Sequence, residues 1–581
     1  MSMRTALPRF AIPLRFSALG GGLALLVLSL AGWFPGIGLA AAFADADGLS
    51  ETYAQMLRVS QWRLAFALLA GGAGAELWML AARRGGALRI GAAIRRPVLL
   101  IAAAGFLGAA AVQAGLFDNI PHITDATSHW FQARIFATGR LSAEAPPCPA
   151  AFFQHNVVVG AAGQWHTKYF PGHALWLLWP LRLAMMPLAF ALFLAAAHRI
   201  AAHYFGRPAA HVSAALLATS PLLLLLGGSF MSHTTLLMWM AGGWAFLLNA
   251  TRPGAPVRGG ACAAAAGFCG GMGLLTRPQD AVVAGVLIGA ATLPRLIRAR
   301  EAWIRNALGL VAGAALPLGF LLIWNHHLYG DLLATGYHLA GGPARSQTPI
   351  IRDAIGLSAD FPWTRALAQS LWTGLRLNQA LLGWPAALPL LLPALLLPAI
   401  RRGNGICLLG AAAMYLPYAF FHYYGFELEA RYAAAAAPFL IVMVARTLIA
   451  LFRAAGAIPA GRPALAAWIA AFVLYAGGYY WPAYLVPRYA GAYEEASPAI
   501  HQAAQTAGLD TPALVLLPNA GFVYSSGFIH TDPDLAVPIV YARDIPGELA
   551  CLRESFPHRT FYRWEPPAPG QSRARLAPVP P

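Results

Sequence analysis

Residues 118–173 interrupt an otherwise apolar sequence with groups that can do chemistry. They hold one well-placed acid, Asp125, and Lys168, the only lysine in the chain. His122, His129, His155, His166 and His173 share the segment with Trp165 and Tyr169. A lone lysine among arginines points to a tight site, because an ammonium is a compact charge and a guanidinium a planar fork. Further along come Arg277 and Asp280 in LLTRPQD, then His326, His327, Asp331, Arg345 and Arg352, then Glu427, Glu429, Arg431 and Tyr432 in FHYYGFELEARY. Cations at Lys168, Arg277, Arg345 and Arg431 suit a phosphate that becomes a leaving group, since stabilising developing charge is usually the largest catalytic effect. Asp125 suits a general base that takes a proton from a hydroxyl within hydrogen-bonding reach. Trp165, Tyr169 and Tyr432 offer flat faces for a sugar and also suit an interfacial aromatic belt. His129, His166 and Arg345 complete the candidate substrate-binding set.

Each residue has a structural alternative. Asp125 can be the N-cap of a helix through SHWFQARIFA. Arg277 can cap a helix C-terminus and snorkel outward. Arg431 can pair with Glu427 at i and i+4. The histidines can be plain loop residues.

The elements that must position these groups are membrane helices. Hydrophobic residues make up 58% of the 581 and charged residues 11%, against about 25% charged in a soluble domain. Many segments reach the roughly 20 apolar residues that cross a bilayer. The reading is a polytopic α-helical membrane protein with about 13 spans, near 17–43, 63–82, 97–117, 184–204, 209–228, 232–250, 259–275, 280–296, 307–326, 378–400, 405–423, 433–452 and 463–484. Arginine clusters before the first span, at 83–96, at 295–305, at 401–402 and at 453–462 fall on one side of this topology. The positive-inside rule makes that side the cytoplasm. The formal charge of +17 is therefore a topology and lipid signal and implies no nucleic-acid partner. Loops 118–173 and 327–377 and the tail from 485 fall outside. The domain reading is 1–96, an N-terminal transmembrane extension, 97–484, a transmembrane catalytic core, and 485–581, an extracytoplasmic domain.

The tail alternates strand-like runs, 513–517, 537–541 and 559–564, with helical patterns, which predicts a small α/β domain. Residues 566–581 are rich in Pro and Ala and read as loose. The tail is expected to pack over the outer vestibule and help select an acceptor, so a chain ending near 485 should still bind donor. Cys262, Cys269 and Cys407 read as packing residues in spans, and Cys148 and Cys551 both fall outside, where a disulfide between them is one option. No CxxC or His-rich spacing marks a metal centre.

In order, the chain carries DATSHWFQARIFATGRL, GQWHTKYFPG, SFMSHT, GLLTRP, NHHLYGD and EARY. This series, over roughly 110–450, resembles the GT-C integral-membrane glycosyltransferases of the dolichyl-phosphate-mannose protein mannosyltransferase type, with their aminoarabinose-transferase-like bacterial members. The resemblance implies a GT-C fold and an inverting glycosyltransferase of the inner membrane. It implies a polyprenyl-phosphate sugar donor and an extracytoplasmic acceptor, whether protein, lipid or cell-envelope glycan. It makes Asp125 the first-loop acid and brings Lys168 to the donor phosphate. Many relatives have Asp-Glu here, whereas this chain has Asp125-Ala126. The reading names no certain cofactor and leaves a divalent cation, Mg or Mn, open. The alternative is a transporter or flippase of a polyprenyl-linked substrate, which should place its ionisable groups near the midplane.

Overall fold

The computed structural model describes residues 97–252, 256–298, 302–337, 363–385, 387–396, 401, 403–421, 427–456, 461–565 and 575–580. The expected spans 17–43 and 63–82, Arg345 and much of the 327–377 loop lie outside the described residues.

Helix α1 spans Pro97–Gly115 and α2 spans Thr124–Ala137. Then come α3 (Arg182–Phe205), α4 (Ser232–Ala250), α5 (Pro256–Thr276), α6 (Pro278–Arg298) and α7 (Trp303–Tyr329). After them lie α8 (Asn404–Ala419), α9 (Ala437–Ala455) and α10 (Gly461–Tyr475). Among the described residues, 6 helices are long and apolar enough to cross a membrane by length and composition, or up to 7 with a pair bent by 58° at 207–228. They fall at the expected spans 97–117, 184–204, 259–275, 307–326, 433–452 and 463–484, and the protein is a polytopic helical membrane protein. Helices α4, α6 and α8, at three further expected spans, do not meet those limits. The start of α4 shows one reason: Ser232, His233, Thr234 and Thr235 are buried against protein, so polar groups replace the apolar run that lipid would demand.

Packing between α5 and α7 depends on absent side chains. A Cβ at Gly267 would stand 2.0 Å from the Leu310 carbonyl oxygen, and one at Gly313 would stand 1.8 Å from that of Ala264. Small residues let membrane helices touch backbone to backbone. This contact fixes the end of α5, where Arg277 follows.

Two further layers complete the molecule. The loop after α2 forms a small antiparallel sheet of β1 (Ala143–Glu144), β2 (Val157–Val159) and β3 (Gln164–Thr167), with β3 in the middle. Beyond α10, helix α11 (Ala499–Thr506) leads into β4 (Ala513–Pro518), α12 (Val523–Phe528), β5 (Ile539–Asp544), α13 (Leu549–Ser555), β6 (Thr560–Glu565) and β7 (Arg575–Pro578). The sheet order is β5-β4-β6-β7, with β4 parallel to both neighbours and β7 antiparallel to β6. Parallel pairing requires crossovers, which α12 and α13 supply. Part of the stretch expected to be loose, 575–578, is thus a strand, because its backbone pairs with 562–565.

The tail and the outer loop share one hydrophobic core. Phe131 and Ile135 of α2 and Trp165 of β3 are buried with Leu514, Leu516, Phe528 and Tyr541. The Arg543 N–H donates to the Ala151 carbonyl at 2.7 Å, and Gln154 bonds Ser525 at 3.1 Å. Cys148 and Cys551 are disulfide-bonded, with Cα atoms 6.0 Å apart.

Candidate active site

Asp125 lies in the first turn of α2, where the helix dipole favours a carboxylate. It is not the N-cap: that position is Ile123, which makes no side-chain cap. Instead its Oδ1 accepts two hydrogen bonds, from Asn156 Nδ2 at 2.9 Å and from the Tyr169 hydroxyl at 2.8 Å. Asn156 also reaches Thr124 Oγ1 at 3.1 Å, so it pins the helix start. Burial first, then Asp125, pushes the Tyr169 hydroxyl well above its ordinary pKa, so it stays a donor. Oδ2 takes no hydrogen bond from the described residues, and Asp125 borders a cavity of about 100 Å³.

Arg277 stands across this cavity, at the turn between α5 and α6. Its Nε pairs with Asp280 at 2.7 Å and its Nη2 donates to the Tyr418 hydroxyl at 2.6 Å. Tyr418 in turn donates to Asp280 at 2.6 Å, which closes a triangle. Burial pulls Arg277 down, but Tyr418 and Asp280 outweigh it and hold the guanidinium charged. Its Nη1 makes only a long bond of 3.4 Å to Ser232 and keeps donors to offer. The helix-cap alternative for Arg277 is replaced by this ion pair.

Arg431 pairs with Glu427 at 2.7 Å, the i, i+4 contact weighed from the sequence. It also donates to the Tyr432 hydroxyl at 3.1 Å. Burial opposes its charge, while Tyr432, Asp125 and Glu427 together raise its pKa above the usual value, so Arg431 feels the Asp125 carboxylate. The Tyr432 ring packs on Tyr418 at 5.3 Å and Phe421 at 5.5 Å, both of which border the cavity. The Lys168 ammonium lies over the rings of Tyr169 and Tyr337, at 5.1 and 5.7 Å, and both rings border the cavity too.

The histidines divide. His129 borders the cavity, stacked on Tyr169 at 5.0 Å and edge-on to His173 at 4.8 Å. Burial, then His173 and Arg277, lower its pKa well below the ordinary value, so it is neutral. His173 uses both ring nitrogens, toward Thr235 Oγ1 and the Phe230 carbonyl, and burial brings it to about 4.

Two candidates are not brought here. Trp165 is 2% exposed and packs on Phe131 at 4.5 Å and Phe528 at 5.8 Å, inside the core shared with the tail. His166 points the opposite way along the strand, toward the rings of Trp324 and Tyr329, with Nδ1 bonded to the Thr167 carbonyl. Their alternation on β3 turns both away from Asp125. Arg345 lies outside the described residues. Asn156 and Tyr418 were missed. Asn156 occupies a left-handed turn position with φ of 67°, and only its loop context hinted at a role. Tyr418 sits in an apolar run that reads as packing.

A divalent cation requires several ligand atoms within reach of one ion. Among the described residues, the grouping that meets this distance is Cys148, Glu548 and Cys551, and there the two sulfurs are bonded to each other. At the cavity, one carboxylate is opposed by Arg277, and the other by Arg431. Among the described residues, this donor set suits an anion.

No family model matches the chain, and no curated protein matches it in sequence. Among solved structures, it is similar to the Archaeoglobus fulgidus oligosaccharyltransferase in the apo form, at 13% identity and a TM-score of 0.46 over 81% of this chain and 70% of that chain. It is also similar to ArnT from Cupriavidus metallidurans in the apo state, at 15% identity and a TM-score of 0.47 over 80% and 88%. The same ArnT bound to undecaprenyl phosphate gives 14% and 0.47 over 81% and 93%. These likenesses are of overall arrangement alone.

Proposed function

We propose that this chain is a membrane glycosyltransferase that moves a sugar from a polyprenyl-phosphate donor to a hydroxyl of an acceptor on the outer face of the inner membrane. The single observation that carries this reading is the state of Asp125. Its Oδ1 is tied down by Asn156 and Tyr169, and the residue borders a cavity shared with Arg277. One carboxylate oxygen is fixed and the other is left to act, which is the geometry a general base needs.

In the proposed reaction, the acceptor hydroxyl gives its proton to Asp125 as its oxygen bonds the anomeric carbon. The bond from that carbon to the phosphate oxygen breaks, and the polyprenyl phosphate leaves with the electron pair. Arg277, Lys168 and Arg431 oppose the charge that appears on the phosphate. A single displacement of this kind inverts the anomeric centre. The donor lipid is of the class seen with ArnT, whose structure holds undecaprenyl phosphate.

The arginine distribution supports an extracytoplasmic site. So does the Cys148–Cys551 bond, since disulfides persist in oxidising compartments. The domain division at 96 and 485 belongs to the same proposal. The test is transfer from a radiolabelled polyprenyl-phosphate sugar to envelope acceptors in membranes carrying Asp125→Asn. The rate should fall ~10²–10⁴-fold, the usual worth of general-base catalysis, at unchanged protein level. Near-normal transfer would remove Asp125 from the mechanism.

A further inference from the structure

Helix α2 borders two cavities. Asp125 and His129, one turn apart, border the one described above. Trp130 and Arg134, also one turn apart, border a second of about 780 Å³. At 100° and 1.5 Å per residue, Arg134 stands about 180° round the helix from Asp125 and about 14 Å along it. The two cavities therefore lie on opposite sides of α2.

The second cavity runs from Asp118 and Trp179, at the ends of two membrane helices, to His501 and His530 of the tail. Arg182 lies over the rings of Trp179 and Trp130 at 4.1 and 5.2 Å, and Arg134 lies over Trp179 at 5.0 Å. Burial lowers Arg134, Asp532 opposes this and Arg182 adds to it, and the result of about 10 leaves the group charged at neutral pH. His501 and His530 stack at 3.8 Å. Burial, then His501 and Arg134, bring His530 to about 3, so it adds no charge there. Asp118 is exposed, and water screens it. Three buried nitrogens of residues bordering the cavity have no partner among the described residues: the donors Trp130 Nε1 and Arg182 Nε, and His530 Nε2. Trp130 is only 5% exposed. Buried polar atoms are ordinarily satisfied, so three at one cavity call for a ligand.

We infer that this cavity is a second ligand site, for a phosphate-bearing molecule whose anion meets Arg182 and Arg134 and whose body lies on Trp130 and Trp179. The phosphate can belong to a membrane lipid headgroup or to a phosphorylated sugar, and the chemistry that binds it is the same. The site does not depend on the reaction at Asp125.

The experiment uses the full chain in detergent, with calorimetric titration at low and at physiological salt. One probe is dihexanoylphosphatidylglycerol and the other is glucose 1-phosphate. At least one should bind saturably, and more weakly as salt rises. Arg182→Gln should weaken it about ten- to a hundred-fold, the worth of one charged hydrogen bond, and Arg182→Lys should keep part of it. Trp130→Phe keeps the ring, removes the donor and should weaken binding less, so it reads the site even if Arg182→Gln folds poorly. Binding of the lipid alone assigns a headgroup, and binding of the sugar phosphate alone assigns a phosphorylated glycan. The inference is overturned if the wild-type chain binds neither probe. It is equally overturned if Arg182→Gln and Trp130→Phe bind as the wild type does.

Discussion

At the scale of single residues, the proposed reaction has Lys168 and Arg277 divide the work of meeting an anion. Arg277 is committed to Asp280 and Tyr418 and has little freedom to move. Lys168 lies over two tyrosine rings on a flexible stem and can follow a phosphate as it departs. Lys168→Ala should weaken donor binding and slow transfer about tenfold or more, the loss of one charged contact, and Lys168→Arg should restore only part. Equal donor affinity in all three proteins, measured with labelled donor, would make Lys168 an interfacial anchor. The buried histidines set a pH limit. His166 and His173 are held at about 4, against an ordinary 6.5, mainly by burial. Between those values the unfolded chain binds more protons than the folded one, so stability is whole above pH 6.5 and is lost as pH falls toward 4. Each contributes on the order of 3 kcal/mol across that window. Thermal unfolding in detergent at pH 7 and pH 5 should show the drop, and an unchanged midpoint would contradict it. The sequence made Asp125, Lys168 and Arg277 legible, because charge in an apolar chain is conspicuous. Trp165 and His166 lie away from Asp125 in the structure, because proximity in sequence to Lys168 says nothing about which face of a strand each takes. Asn156 and Tyr418 were hidden because an amide in a loop and a phenol in an apolar helix have common structural uses.

At the scale of elements, the site depends on where α5 ends, and that depends on α5 touching α7. Gly313→Val puts a side chain where the Ala264 carbonyl already stands, so the helices must part and Arg277 must shift. The expected loss is about 1–3 kcal/mol of stability, with a fall in transfer. Gly319→Ala on the same helix meets nothing within 4 Å and should behave as the wild type. Equal thermal midpoints for both variants would refute the account. Apolar length found the six long helices, since it is a local property. The backbone contact at Gly313 was not readable, because a glycine in an apolar helix looks the same whether it faces lipid or a neighbour.

At the scale of the molecule, the tail is part of the body that carries the site. The sequence suggested a separable domain, because its composition is that of a soluble protein. The structure joins it to α2 through Phe131, Ile135 and Trp165 and through the disulfide. A chain ending near 485 would leave Phe131 and Ile135 in water on the helix that holds Asp125, and Trp165 on the strand beside it. It should therefore lose both transfer and donor hydrolysis, and its α2 region should become sensitive to protease. A truncated chain that binds and hydrolyses donor normally would restore the separable view.

That shared core also sets an order of assembly. In the proposed orientation, α2 crosses to the outer side early in synthesis, and Cys551 follows Cys148 by 403 residues. At ~5–20 residues per second, this interval lasts on the order of 20–80 s. Throughout it, the apolar side of α2 stands uncovered and the Cys148 thiol waits for its partner. The protein is thus finished from its far end: an outer segment that emerges early is among the last to be completed, and on the proposed function a chain that stops short of Cys551 lacks a finished site.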